Sequence, residues 1–202
     1  MDTTELGPDR GASRRRFLQA GAAGAALSAA IPLMARSASA QAGGTPPRRP
    51  TAADVTVLRF LQGVEWAAQA LYESALAGGG YGDDLAPVMA AMARHHRAYG
   101  EALSGLLGPD SNGSPEEAVL SQFSTRFADP SVAVEAAFRL EDTAVATHAE
   151  HLGVLEGIDG AALIASILVV EARHAAVLAT AAGITDLDDV LSITSTPLEV
   201  AP

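Results

Sequence analysis

One helical face in this chain cannot be ordinary core. The run Leu168–Leu178 (LVVEARHAAVL) puts Leu168, Glu171, Ala175 and Leu178 at 3-4-3 spacing, a single face of a helix. His174 follows Glu171 by three residues, so the carboxylate and the imidazole are neighbours on that face. A buried carboxylate is costly unless it is paired or bound to a cation. The fold must therefore bring partners to this point from other parts of the chain.

Composition narrows where those partners come from. The 202 residues include no cysteine and no lysine, which excludes disulfides, thiolate metal sites, a cysteine nucleophile and a lipid-modified cysteine. Aromatic residues are only 4% and alanine is abundant, which suits closely packed helices rather than sheets. The net charge of −11 argues against nucleic acid or an anionic membrane surface as a partner.

Residues 1–40 read as a segment to be removed before folding is considered. Ser13-Arg14-Arg15-Arg16-Phe17-Leu18-Gln19 is similar to a twin-arginine export signal, followed by a weakly apolar run to Met34 and by Ala38-Ser39-Ala40, small residues suited to signal-peptidase cleavage. Pro32 and the many alanines make that run a poor membrane anchor. The expectation is export by the twin-arginine translocation machinery to the periplasm or the extracellular space, with no stable membrane anchor after cleavage. Residues 41–50 (QAGGTPPRRP) read as a flexible linker.

The remainder divides into a domain over 51–184 and a tail over 185–202, in which only Leu187–Leu191 reads as a short helix. Four long helices are expected in the domain. The first follows Thr51 or Asp54 as N-cap and stops at Gly78-Gly79-Gly80, with Leu58, Leu61, Glu65, Ala68, Tyr72 and Ala75 on its stripe. The second begins near Asp83 or Asp84, ends at Gly108-Pro109 and turns Met92, His96, Tyr99 and Leu103 inward. A long connection carrying a short helix to Phe127 leads to the third, capped by Asp129 and running to about Glu156, with Phe138, Glu141, Val145 and His148 on its stripe. The fourth starts after Asp159 and ends near Ala182. Its strongly apolar part, Ala161 to Val170, is too short to span a membrane.

Glu65, His96, Glu141 and Glu171 all fall near the middle of their helices, so an antiparallel bundle places them in one layer, joined by His174. His148 stands seven residues, roughly 10 Å, beyond Glu141 and is expected outside that layer. His95 and His151 are likewise read as non-ligands, and Tyr72 and Tyr99 as core residues within reach of the site. The layer is either a metal site or a hydrogen-bonded network that fixes helix register.

At this point the chain resembles the ferritin-like superfamily, in particular exported bacterial ferritin-like domains. The resemblance covers roughly residues 52–182 and rests on Glu65 in LQGVEWAA, on His96 in HRAYGEAL, on Leu140-Glu141-Asp142 and on Glu171-Ala172-Arg173-His174. It implies an all-α, antiparallel four-helix bundle with one long crossover between helices 2 and 3. It also implies a metal set of Glu65, His96, Glu141, Glu171 and His174. The full dinuclear pattern has a second Glu-x-x-His on helix 2, whereas here Met92 precedes His95 and Ala93 precedes His96. One bridging carboxylate is missing, leaving open a mononuclear or dinuclear Fe or Mn site, a Zn site, or a site that binds nothing. The matching functions are ferroxidase- or peroxide-type chemistry on one side and a non-catalytic envelope or partner-binding bundle on the other. Self-association is compatible with the fold, but nothing in the sequence points to a storage shell.

Overall fold

The computed structural model describes residues 45–79, 81 and 84–200. The segment over 1–40 that reads as an export signal, the first part of the linker and the expected helix start at Asp83 lie outside the described residues. Among the described residues the order is α1 (Ala52–Gly78), α2 (Ala86–Leu107), a 3-10 turn (Gly108–Asp110), α3 (Glu117–Phe127), α4 (Ala133–Leu152), α5 (Ile158–Ala181) and α6 (Leu187–Leu191).

Thr51 caps α1 with a reciprocal box: its hydroxyl accepts the Asp54 N–H at 3.3 Å, and the Asp54 carboxylate accepts the Thr51 N–H at 2.8 Å. The same carboxylate also accepts the N–H groups of Glu156 and Gly157, at 2.8 and 2.9 Å. Those N–H groups are thereby drawn out of α4, which ends at Leu152 rather than near Glu156. Two other cap expectations fail for similar reasons. Asp129 spends its carboxylate on the N–H and hydroxyl of Ser131, so α4 starts four residues later, at Ala133. Gly157, not Asp159, is the N-cap of α5; Asp159 lies in its first turn and pairs with Arg48 at 3.1 Å.

Cross-helix contacts fix the topology. Along α1 and α4, Phe60 meets His151, Glu65 meets His148 and Tyr72 meets Glu141, so these helices are antiparallel. Helices α1 and α2 are antiparallel too, with Gln62 bonded to Ser104 and Tyr72 stacked on His96. Helix α5 runs against both α4, through Glu141–His174 and His148–Glu171, and α2, through His95–His174 and Leu106 beside Gly160. It follows that α2 and α4 run the same way, and the chain between them must travel back along the bundle. Residues 108–132 do this, with α3 burying Val119, Phe123 and Phe127. The crossover is pinned to α1: the Glu116 N–H donates to the Gly63 carbonyl at 2.8 Å, and buried Gln62 bonds Ser111 and the Asn112 N–H. The result is the expected antiparallel four-helix bundle with one long crossover.

Three expectations at the margins change. Residues 45–50 of the linker are held, because the Pro47 and Arg48 carbonyls accept the Ile158 and Asp159 N–H groups at 2.9 Å each, satisfying donors that α5 leaves open at its start. The tail beyond α6 is not loose: Asp142 accepts the N–H groups of Thr194 and Ser195 and the Thr194 hydroxyl, while Leu198 bonds Thr147 and His151. Helix α5, at 24 residues with a mean hydropathy of 1.8, is long and apolar enough by length and composition to cross a membrane. Its Ile164, Ile167 and Leu178 are fully buried in the bundle, whereas Val169 and Val177 on the same helix are exposed.

Candidate metal centre

Each predicted residue sits where its helix stripe puts it. Glu65 (α1), His96 (α2), Glu141 (α4) and Glu171 (α5) have no exposed surface, and His174 (α5) is also buried. The structure brings all five together, in two overlapping triads: His96, Glu141 and His174, and Glu65, His96 and Glu171. Within each triad one donor atom per residue lies within 4.8 Å of the others.

The arrangement is a column rather than a layer. Acids and imidazoles alternate along it. Glu171 Oε2 lies 2.7 Å from His148 Nδ1, and His148 Nε2 lies 3.2 Å from Glu65 Oε1. Glu65 Oε2 is 2.8 Å from His96 Nδ1, and His96 Nε2 is 3.0 Å from Glu141 Oε1. Glu141 Oε2 is 3.3 Å from His174 Nδ1, and His174 Nε2 is 2.9 Å from His95 Nδ1. The Tyr72 hydroxyl donates to Glu141 Oε1 at 2.6 Å, and its ring stacks on His96.

His148 is the main departure from the sequence reading. It is fully buried and contacts both Glu65 and Glu171. The axial distance from Glu141 was the right quantity, but the site is two turns deep. Glu171 reaches the His148 end of α4 while His174, one turn on, reaches the Glu141 end. The usable signal was the seven-residue spacing that keeps Glu141 and His148 on one face of α4. His95, also set aside, borders the column through His174, although its side chain is exposed. His151 does stand apart, bonding the Leu198 carbonyl.

Burial and neighbours set the charges. Burial alone would raise the Glu65 carboxyl, but His148 and His96 hold it down at about 2. Glu141 is likewise held well below the usual carboxylate range, burial being outweighed by His96 and His174. Burial dominates at Glu171, which is pushed up to about 7. Burial opposes charge on the imidazoles too, yet Glu171 and Glu65 lift His148 to about 10, and Glu141 and Glu65 lift His96 well above its ordinary value. Burial and the three carboxylates raise Tyr99 to about 12.

Several buried donor atoms are left over. Glu65 Oε1 and His148 Nε2 face each other at 3.2 Å without hydrogen-bond geometry, and Glu171 Oε1 has no partner; all three belong to one end of the column. Buried polar atoms are nearly always satisfied, so Glu171 Oε1 is a donor atom still open to a further partner. Carboxylate oxygen and imidazole nitrogen are the donors that suit Fe, Mn and Zn, so the residues present fit a divalent transition metal.

No curated protein and no solved structure matches this chain. The sequence model of the ferritin-like domain matches residues 53–183, which takes in all four long helices, the crossover and every member of the column. A bundle whose α2 and α4 run in the same direction, joined by a return crossover around buried carboxylates and histidines, is what that match leads one to expect, and the chain belongs to the ferritin-like domain family.

Proposed function

We propose that this domain binds a redox-active transition-metal ion, Fe or Mn, in the middle of the bundle and uses it in ferroxidase- or peroxide-type chemistry. The observation that carries the reading is the buried convergence of Glu65, His96, Glu141, Glu171 and His174 in two overlapping triads, with Glu171 Oε1 left without a hydrogen-bond partner. Glu141 Oε1 is already engaged by Tyr72 and His96, so the end that holds Glu65 and Glu171, with Glu171 Oε1 open, is the freer one. His96 offers nitrogens toward both ends, but a neutral imidazole has one lone pair. One ion per chain is therefore the expected stoichiometry.

A bound ion would supply one-electron redox chemistry in a site closed to bulk water. The protein's own residues have separate tasks. Glu65 and Glu171 neutralise the cation, His148 and His96 supply nitrogen after losing a proton, and Tyr72 fixes the rotamer of Glu141. Elemental mass spectrometry of the purified, untagged protein tests this reading. About one equivalent of Fe or Mn per chain is expected, with loss of metal in Glu171→Ala. Full metal content in that variant would sink the assignment, and zinc alone would point to a structural or hydrolytic centre.

A second reading has its own support. The alternating acids and imidazoles already pair most of the cluster without an ion, as a network that fixes helix register requires. On that reading the domain is a metal-free bundle acting in envelope or partner interactions, and chelation leaves its melting temperature unchanged.

We further propose export by the twin-arginine route, on the strength of Arg14-Arg15 and the segment that follows. Cell fractionation with Arg14→Lys and Arg15→Lys tests it: the double variant should stay in the cytoplasm, and unchanged export would refute it.

A further inference from the structure

The column is sealed at one end and reaches the surface at the other. The side chains of Glu65, His96, Glu141, His148 and Glu171 have no exposure, whereas His174 has 8%. The outward nitrogen of His174 is met by His95, whose side chain is in solvent. The two rings stack at 5.1 Å with planes 9° apart, so both imidazoles address the same small region at the mouth of the site. Behind His174 stand Glu141 and His96, and behind them Glu65 and Glu171, the second triad. Each step inward therefore offers ligands that share a member with the step before.

We propose that His95 and His174 form the entry site through which a divalent cation is captured at the surface and passed inward to Glu65, Glu171 and His148. This rests on the metal-binding reading above. His95 is a ligand to the ion in transit only: it is exposed on α2, next to buried His96, and its hydrogen bond to the column is with His174. The ion moves between imidazole and carboxylate donors; an imidazole that is protonated releases that proton to solvent as it ligates, and no other covalent bond changes.

The test is stopped-flow loading of the metal-free protein with Co(II), followed by its visible absorption, and release into excess chelator. A residue on the route alters entry and exit alike and leaves the final stoichiometry untouched. His95→Ala should therefore slow loading and release by the same factor, several-fold or more, with affinity unchanged. His95→Asp, which restores a cation ligand, should recover most of the loading rate. Three results would overturn the proposal. Unchanged loading and release in His95→Ala mean the ion enters elsewhere. Faster loading means His95 is a plug. Faster release with unchanged loading means that His95 only steadies His174. If the wild-type protein takes up no Co(II) at all, the metal-binding reading itself fails and this one with it, an outcome distinct from the other three.

Discussion

Replacing Asp54 with alanine probes the joint that sets the height of α1 against α4 and α5. The carboxylate accepts three backbone N–H groups, from Thr51, Glu156 and Gly157, at 2.8, 2.8 and 2.9 Å. The Gly157 bond is buried, and alanine would strand that donor at the full cost of an unmade charged hydrogen bond, about 2 kcal/mol. The Thr51 and Glu156 donors are partly accessible and can turn to water, costing about 0.5 kcal/mol each. The sum is about 3 kcal/mol, which for a domain of this size lowers the melting temperature by roughly 10 °C. Urea and thermal unfolding followed by circular dichroism measure it. The effect should depend on pH with a definite sign. Burial would raise this carboxyl, but the backbone donors outweigh it and hold it below its ordinary value of 3.8. A group lowered on folding contributes stability that is present above its unfolded pKa and is lost as pH falls through its folded pKa. The wild-type and Asp54→Ala curves should therefore converge only in acid below the ordinary aspartate range. A deficit under about 1 kcal/mol at neutral pH, or one that persists undiminished in strong acid, would refute the account of this joint.

Two other predictions concern the column and the tail. Because His148 is raised to about 10 and His96 well above its ordinary value, each must give up a proton before ligating, so metal affinity should rise with pH and binding should release protons. Calorimetric titration in buffers of different ionisation enthalpy reads the proton count directly, and a buffer-independent binding heat would contradict the assignment of His148 as a ligand. Asp142→Ala removes the acceptor of three hydrogen bonds from Thr194 and Ser195, so it should cost about 2 kcal/mol and expose the chain after α6 to limited proteolysis. A tail as resistant as in the wild type would show that the Leu198 contacts alone hold it.

The parts of this fold legible in the sequence are those governed by periodicity. The stripes of α1 and α4 predicted Leu58, Leu61, Tyr72 and Phe138 as core, and each is essentially fully buried. The same periodicity carried Glu65, His96, Glu141 and Glu171 inward, because a polar residue on an apolar stripe is buried with its neighbours whatever its chemistry. What the sequence hid were choices between competing partners. Asp54, Asp129 and Asp159 all have the right type and place for helix caps. Only the assembled bundle shows that Asp54 also holds the α4–α5 turn, that Asp129 is taken by Ser131 and that Asp159 pairs with Arg48. The ordering of 45–50 and of the tail was hidden for a related reason: the first rests on backbone bonds to the start of α5 and the second on tail groups meeting the Asp142, Thr147 and His151 side chains, neither of which follows a periodic pattern.

His148 shows where reasoning by layers fails. Helix positions at one height meet in one plane only if their side chains are short. Glu and His are long, and each has two polar atoms that need separate partners. An acid placed between two imidazoles gains from both, whereas two adjacent acids would repel, so a buried group of such residues is favoured as an alternating string. Three carboxylates and three imidazoles on four helices then extend along the bundle axis, and His148 is the member that separates Glu65 from Glu171. The alternation has a functional consequence. Protons on His148 and His96 offset the carboxylates before any ion arrives, so the bundle can close without metal, and a cation entering later replaces protons instead of filling an uncompensated cluster of negative charge. On the metal-binding reading, such a site can fold first and take up its ion afterwards.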